Sequence, residues 1–406
     1  MTARILPSAA RGEVQAPPSK SDAHRLLICA GLAAGESTIR GVAPSQDMLA
    51  TMDCLRALGA QVNYADETAR ICGIGGRFPR EAVLPCRECG STLRFFVPIV
   101  LLGGGSYTLT GSETLLSRPL TVYEDVCRSC GIGFDKGKDY LQISGKLTAG
   151  SYTVSGNVSS QFISGLCFAL PLAEGGSSIE IVPPVESRPY IDMTLSALER
   201  FGVRAQWQDT HTIRIAGRQT YFPRDAQAEG DCSNAAFLDA LNVLGGDLRV
   251  LGVPVQTLQA DRVYPQLFAL LRGGTPTIDL SDCPDLGPVC MALAAALHGA
   301  VFTGTRRLRI KESDRCAAMA EELAKFGIAS LVGEDTMTVF ASALQKPSVP
   351  LDGHHDHRIV MALSLLLTKT GGTIAGAQAV QKSYPAFFEI LRESGIEVQT
   401  EHGMDS

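Results

Sequence analysis

Leu55-Arg56-Ala57-Leu58-Gly59-Ala60-Gln61-Val62 is the stretch whose reading decides the fold. It ends a helix-patterned segment, places a glycine, and opens a strand with an apolar residue. Glycine at this position closes a helix in the left-handed conformation, so the stretch marks a helix-to-strand junction. The junction returns as Cys127-Arg128-Ser129-Cys130-Gly131-Ile132 and Leu198-Glu199-Arg200-Phe201-Gly202-Val203. It returns less clearly as Leu270-Leu271-Arg272-Gly273, then as Leu323-Ala324-Lys325-Phe326-Gly327-Ile328 and Leu391-Arg392-Glu393-Ser394-Gly395-Ile396. The glycines are spaced 72, 71, 71, 54 and 68 residues apart. A period this regular is repeated supersecondary structure: six units, each a helix with several short strands. The class is α/β or α+β with internal pseudo-symmetry, three units to a domain.

A chain of 406 residues is long for one domain and suits two. The boundary falls near 221–231, which is polar and lacks apolar periodicity. Ile5 fits a strand that could pair with either half. With 45% apolar and 19% charged residues, the composition is that of a globular protein with ample core. A net charge of −6 argues against a general nucleic-acid binder, though it permits a local basic cleft. Met1 to Ala16 has no apolar core of the signal-peptide kind, and no run has the length of a membrane span. The expected location is the cytoplasm. Phe95 to Leu102 and Ile359 to Leu367 read as buried elements.

The 12 cysteines then read as reduced, buried small hydrophobes. Cys86-x-x-Cys89 and Cys127-x-x-Cys130 resemble a zinc signature, but their linker is long and the second pair lies in a helical segment, Leu120 to Cys130. His354-His355-Asp356-His357-Arg358 also offers metal donors. Adjacent residues seldom converge on one ion, so Asp356 as a helix cap is the expectation and no metal is expected.

The chemistry sits in a recurring arrangement: a polar cluster just before an apolar helix. Arg309-Ile310-Lys311-Glu312-Ser313-Asp314-Arg315 lies between a strand-like alternation, Val301 to Ile310, and the helix-spaced Cys316 to Phe326. Ser313 or Asp314 can cap that helix. Pro17-Pro18-Ser19-Lys20-Ser21-Asp22-Ala23-His24-Arg25 precedes the helix Leu26 to Ala34, with Ser21 or Asp22 as cap. Two cations at a helix start oppose its dipole unless an anion binds there. Glu88-Cys89-Gly90-Ser91-Thr92-Leu93-Arg94, Gly156-Asn157-Val158-Ser159-Ser160-Gln161 and Glu186-Ser187-Arg188-Pro189-Tyr190 repeat the theme. Glu229-Gly230-Asp231 is acidic and suits a cap alone. Asp285 before Val289 to Leu297 is either an N-cap or a functional carboxylate. Arg118 and Lys382 each adjoin a proline turn. Lys20, Arg25, Arg94, Arg118, Arg188, Lys311, Arg315, Arg358 and Lys382 thus all stand at element starts or turns, as a holder of phosphate and carboxylate groups requires. Neither GxxxxGK[ST] nor GxGxxG occurs, so no nucleotide cofactor is expected.

These residues, in order and over nearly the whole length, resemble the enolpyruvylshikimate phosphate synthase family. The resemblance runs through Pro18-Ser19-Lys20-Ser21, Arg25, Gly90-Ser91-Thr92-Leu93-Arg94, Arg118-Pro119, Ser159-Ser160-Gln161, Ser187-Arg188-Pro189-Tyr190, Pro284-Asp285, Lys311 to Arg315, Asp356-His357-Arg358 and Lys382. It implies a two-domain inside-out α/β barrel of six βαβαββ repeats, with lobes that close on ligand. Residues 16–226 would form one lobe and residues 1–15 with 227–406 the other. It implies transfer of enolpyruvyl from phosphoenolpyruvate to the 5-hydroxyl of shikimate 3-phosphate by a monomer without cofactor. Shikimate 3-phosphate would meet Lys20, Ser21, Arg25, Ser159, Ser160, Gln161, Ser187, Tyr190, Asp285 and Lys311. Phosphoenolpyruvate would meet Lys20, Gly90, Arg118, Gln161, Arg315, Arg358 and Lys382. Asp285 would be the base at the hydroxyl, and Glu312 or Lys20 would deliver the proton to the methylene carbon. The empty cation cluster is expected to repel itself.

The sequence departs from the family pattern at Glu88-Cys89, at Arg307, and at Asp22 and His24. A related reading, a UDP-N-acetylglucosamine enolpyruvyl transferase, calls for Lys-Asn at Lys20-Ser21 and a reactive cysteine loop that is not present. A metal-binding protein using the CxxC pairs and the histidines is the other alternative.

Overall fold

The computed structural model describes residues 1–401. The chain divides into two compact units, Pro18–Glu229 and Met1–Pro17 with Gly230 onward. No helix among the described residues is long and apolar enough to cross a membrane.

The first unit holds three four-stranded sheets of one design. In each, two parallel strands are followed by two antiparallel ones. Ala226–Gln227 runs parallel to Glu36–Arg40, which continues to Thr68–Cys72 and Gln61–Ala65. Glu81–Arg87 and Ser106–Gly111 lead to Tyr140–Ser144 and Gly133–Lys136. Ser151–Ser155 and Ser177–Val182 lead to Thr212–Ile215 and Ala205–Trp207.

The second unit repeats the design twice. Thr277–Asp279 and Ala300–Thr303 continue to Thr336–Val339 and Ser330–Val332. Leu351–Asp352 and Gly372–Ala375 continue to the N-terminal strand Thr2–Ile5 and to Val398–Glu401. Ile5 therefore pairs with Gly372 and Val398, inside the C-terminal unit. A two-stranded parallel sheet, Asp247–Leu251 with Arg11–Gln15, completes this unit.

The repeat glycines behave as capping chemistry demands. Gly59, Gly131, Gly202, Gly327 and Gly395 have φ of 101°, 66°, 79°, 77° and 84°. The fourth member needs correction. Gly273 is the last residue of the helix Tyr264–Gly273, and Gly274, at φ 152°, follows as the C-cap. The strand expected over Val301 to Ile310 is also shorter. It covers Ala300–Thr303, and Arg306–Ile310 forms a 3-10 turn. Alternation over so few residues fits a tight helical turn as well as a strand.

The long helices carry the core. Gly90–Leu101 and Ser160–Ala169 pack on each other in the first unit, with Phe95, Phe96, Phe162 and Phe168 fully buried. Each such side chain contributes roughly 1.5–3 kcal/mol on burial. The two helices approach so closely at Gly165 that an added Cβ would lie 2.6 Å from the Arg94 carbonyl oxygen. That approach sets the spacing of the two helices that carry Arg94 and Gln161. In the second unit Gly287–Ala296 and His357–Thr370 are the buried helices.

Candidate active site

In the unit Pro18–Glu229, Lys20 opens the helix Lys20–Leu32. The cap is Ser19, whose hydroxyl accepts the Asp22 N–H at 3.3 Å. The cap expected at Ser21 or Asp22, and the start expected at Leu26, therefore move toward the N-terminus. Ser19 is extended, at φ −65° and ψ 112°, and is the first hydroxyl after the prolines that can turn onto a helix. Lys20 and His24 now stand one turn apart, as do Ser21 and Arg25.

Lys20 Nζ donates to Asp47 Oδ2 at 2.9 Å. Arg25 is buried and tied down on every side. Its Nε donates to Thr194 Oγ1 at 2.9 Å, Nη1 to the Ser21 carbonyl at 2.5 Å, and Nη2 to the Tyr190 carbonyl at 2.8 Å. Thr194 in turn donates to Ser164 Oγ at 2.8 Å. Burial pushes the Arg25 pKa down to about 10, and each Nη has a second N–H beyond these bonds.

Gly90 is the first residue of its helix, and Cys89 Sγ caps it by accepting the Thr92 N–H at 3.4 Å. Arg94 Nη1 donates to Gln161 Oε1 at 2.7 Å, and Gln161 Nε2 donates to Ser91 Oγ at 2.8 Å. A Cβ on Gly90 would lie 3.0 Å from Arg118 Nη1 and 3.3 Å from Arg94 Nη1. Gly90, Ser91, Arg94, Arg118 and Gln161 therefore gather around two guanidinium groups. Ser159 caps Ser160–Ala169 through the Gln161 N–H. Ser187, fully buried at φ 54°, precedes Arg188–Arg200, and Tyr190 lies in that helix's first turn. Arg188, counted with the anion-holding cations from the sequence, lies over the Trp207 ring at 4.1 Å and donates to the Thr210 carbonyl.

In the other unit Asp285 is no cap: it lies in the 3-10 turn Pro284–Leu286, which has no side-chain cap bond. Its carboxylate meets Arg315 Nη1 and Arg358 Nη2 at 3.0 Å each, and Lys311 Nζ at 3.4 Å. Burial alone would raise its pKa, but Arg358, Lys311 and Arg315 together outweigh that and hold the carboxyl well below its usual range. Arg315 is bracketed by acids. Besides Asp285 it donates to Glu312 Oε2 at 2.8 Å and to the wholly buried Asp356 at 2.8 Å. Desolvation opposes its charge, yet these carboxylates raise its pKa. Burial lowers that of Lys311. Asp356 also accepts the Arg358 N–H at 2.9 Å, capping His357–Thr370 as the sequence implies. Asp314 caps Arg315–Lys325. Lys382 ends the 3-10 turn Ala377–Lys382 and is buried.

The expected self-repulsion does not hold for four of the cations. Asp47, Asp285, Glu312 and Asp356 stand against Lys20, Lys311, Arg315 and Arg358. Asp47, and Thr194 as the partner of Arg25, escaped the sequence reading. Asp47 follows the capping Ser45 in a first helical turn, where a carboxylate is common for dipole reasons alone. Thr194 sits mid-helix and carries no local signal.

The two CxxC pairs and the histidine run do not come together as one metal site among the described residues. Among the described residues, three-donor groups within 4.8 Å of one another are His24–Asp47–Cys89 and Glu321–Glu322–His354. Neither unites the two CxxC pairs. His354 bonds Glu322 at 3.0 Å, while His357 is buried beside Asp356. Burial lowers the His24 pKa to about 3 and raises that of Cys89 to about 12.

Guanidinium and ammonium groups set at helix starts, each backed by a carboxylate or amide, form sites suited to small phosphorylated and carboxylated molecules. The chain belongs to the EPSP synthase (3-phosphoshikimate 1-carboxyvinyltransferase) family, whose model matches residues 6–269 and 273–391. A 3-phosphoshikimate 1-carboxyvinyltransferase of Clostridium kluyveri is 38% identical over 415 residues, 97% of each chain. One from Clostridium novyi is 35% identical over 422 residues, again 97% of each. The fold matches a solved EPSP synthase from Acinetobacter baumannii with TM-score 0.80 at 24% identity, covering 98% of this chain and 100% of that one.

Proposed function

We infer that this chain transfers the enolpyruvyl group of phosphoenolpyruvate to the 5-hydroxyl of shikimate 3-phosphate and releases phosphate, the step of the shikimate route that leads to chorismate and the aromatic amino acids. The observation that carries this is membership of the family across nearly the whole length.

The reaction protonates the methylene carbon of phosphoenolpyruvate while the hydroxyl oxygen bonds to its central carbon. The tetrahedral adduct then loses a methyl proton and expels phosphate, restoring the double bond. It needs a base at the hydroxyl, an acid at the methylene and cations around the departing phosphate. Asp285 is the proposed base. Glu312 or Lys20 is the proposed acid. The proposed phosphoenolpyruvate set is Lys20, Gly90, Arg118, Gln161, Arg315, Arg358 and Lys382. The guanidinium pair at Gly90 and the acid-bracketed Arg315 support it. The proposed shikimate 3-phosphate set is Lys20, Ser21, Arg25, Ser159, Ser160, Gln161, Ser187, Tyr190, Asp285 and Lys311. We read each compact unit as one enolpyruvyl transferase lobe of three βαβαββ repeats in an inside-out barrel. The recurrent sheet order supports that reading. The protein is proposed to act as a cytoplasmic monomer without cofactor.

Phosphate release from phosphoenolpyruvate, measured with and without shikimate 3-phosphate and with EDTA present, tests the assignment. Release that requires shikimate 3-phosphate is expected. Release only with UDP-N-acetylglucosamine, or none, would refute it.

A further inference from the structure

Three residues that the proposed chemistry does not use converge beside Lys20. His24 comes from the helix Lys20–Leu32, Asp47 from Gln46–Ala57, and Cys89 caps Gly90–Leu101. All three are buried, with 1%, 4% and 1% exposure. One ligand atom from each lies within 4.8 Å of the others. We propose that His24, Asp47 and Cys89 form a binding site for a zinc-class divalent metal ion.

The donor set is the first support. Imidazole, thiolate and carboxylate together are the ligands of a borderline-soft tetrahedral ion, and three protein ligands leave the fourth position open. The geometry is the second. Bonds of about 2.0–2.3 Å place tetrahedral donors roughly 3.3–3.6 Å apart. His24 Nε2 and Cys89 Sγ already stand at 3.7 Å, and an Asp47 oxygen lies within 4.8 Å of a ligand atom of each. The surroundings are the third. His24 Nδ1 lies 2.8 Å from Thr51 Oγ1, which lies 2.7 Å from Thr92 Oγ1. An Nδ1–H donated to Thr51 leaves the Nε2 lone pair directed at Cys89, the orientation that a metal-ligating histidine takes from its outer partner. The Thr92 N–H is already donated to Sγ at 3.4 Å, which fixes the sulfur's position at the helix start.

Lys20 Nζ pairs with Asp47 Oδ2 at 2.9 Å, and its side chain is 17% exposed. A cation bound to Asp47 competes with Lys20 for that carboxylate and weakens the ion pair that positions the ammonium. Occupancy would inhibit turnover. This consequence alone rests on the role proposed for Lys20.

The test uses full-length protein treated with EDTA, desalted and titrated with cobalt(II). One bound equivalent with a thiolate-to-cobalt charge-transfer band is expected, bleached by zinc. Cys89→Ser retains a cap oxygen and His24→Asn removes the imidazole; each should abolish the band. Thr51→Val should keep the band and weaken binding about 10–100-fold. No band, or a band that persists in a folded Cys89→Ser or a folded His24→Asn variant, overturns the site. Circular dichroism verifies that each variant is folded, and either one alone decides the matter. In the phosphate-release assay zinc should inhibit the parent protein and spare Cys89→Ser. Equal inhibition of both overturns the link to Lys20. Because the cobalt spectrum needs no catalysis, a failed metal site and a failed enzyme assignment give different results.

Discussion

Replacing Asp285 by Asn separates its two roles. The amide keeps the shape and one acceptor oxygen but removes the charge and the basicity. A positioned general base contributes about 10²–10⁴ in rate, or roughly 3–5 kcal/mol of barrier. Turnover in steady-state phosphate release should therefore fall by that factor. The Michaelis constant for phosphoenolpyruvate should stay within a few-fold or drop. The reason is local: three cations within 3.4 Å of the carboxylate lose an anion, and an anionic substrate can replace it. The empty protein should suffer. Arg315 is 1% exposed and Asp285 18%, so removing one partner of such a cluster costs about 3 kcal/mol, near the low end for a buried pair. Thermal unfolding should show that loss and phosphoenolpyruvate should recover much of it.

The acid side follows from the same carboxylate. Its folded pKa is held well below the ordinary value, so its contribution is complete above an unfolded pKa of about 3.9 and fades as pH falls through the lower folded value. The stability gap between parent and Asp285→Asn should thus be constant near neutrality and shrink only in strong acid. Turnover within tenfold of the parent would refute the base. A stability gap that opens rather than closes in acid would refute the charge argument.

Gly90→Ala should raise the Michaelis constant for phosphoenolpyruvate several-fold while the fold survives, because a methyl would press on Arg118 and Arg94 at 3.0 and 3.3 Å; an unchanged constant in initial-rate assays would exclude those two side chains from the site. Asp356→Asn leaves Arg315 Nε without its charged partner in a fully buried position and should cost about 3–5 kcal/mol in denaturant unfolding. Its effect should exceed that of Glu312→Gln, whose partner bond is less enclosed. His354 has a raised pKa, chiefly from its hydrogen bond to Glu322. Its contribution is complete below about pH 6.5 and is lost as pH rises through the higher folded value. His354→Gln should remove a pH-dependent loss of under about 1 kcal/mol on the alkaline side of neutrality, read from unfolding midpoints.

What could be read from sequence, and what could not, divides along one physical line. Capping and left-handed glycine are local chemistry, so Gly59, Gly131, Gly202, Gly327 and Gly395, and the caps Asp314 and Asp356, were legible. Local chemistry also sets the limit. Gly273 and Gly274 are equally good stops, and Ser19, Ser21 and Asp22 equally good caps, so the fourth repeat and the first helix were misplaced. The partners of the cations come from segments far along the chain: Asp47 for Lys20, Thr194 for Arg25, Asp356 for Arg315. Glu312 lies three residues from Arg315, but no window around Lys20 contains Asp47 and none around Arg315 contains Asp356, so the sequence understated how far the cations are neutralised. Once the acids are in place, Lys20 in one unit and Lys311, Arg315 and Arg358 in the other are each held in ion pairs within their own unit. A ligand must then exchange with those pairs, substituting its phosphate or carboxylate for a side chain of like charge. On the proposed site residues, an anionic ligand is favoured over a neutral one, because a neutral molecule that broke the Asp285 or Asp47 pairs would leave their cations unmatched.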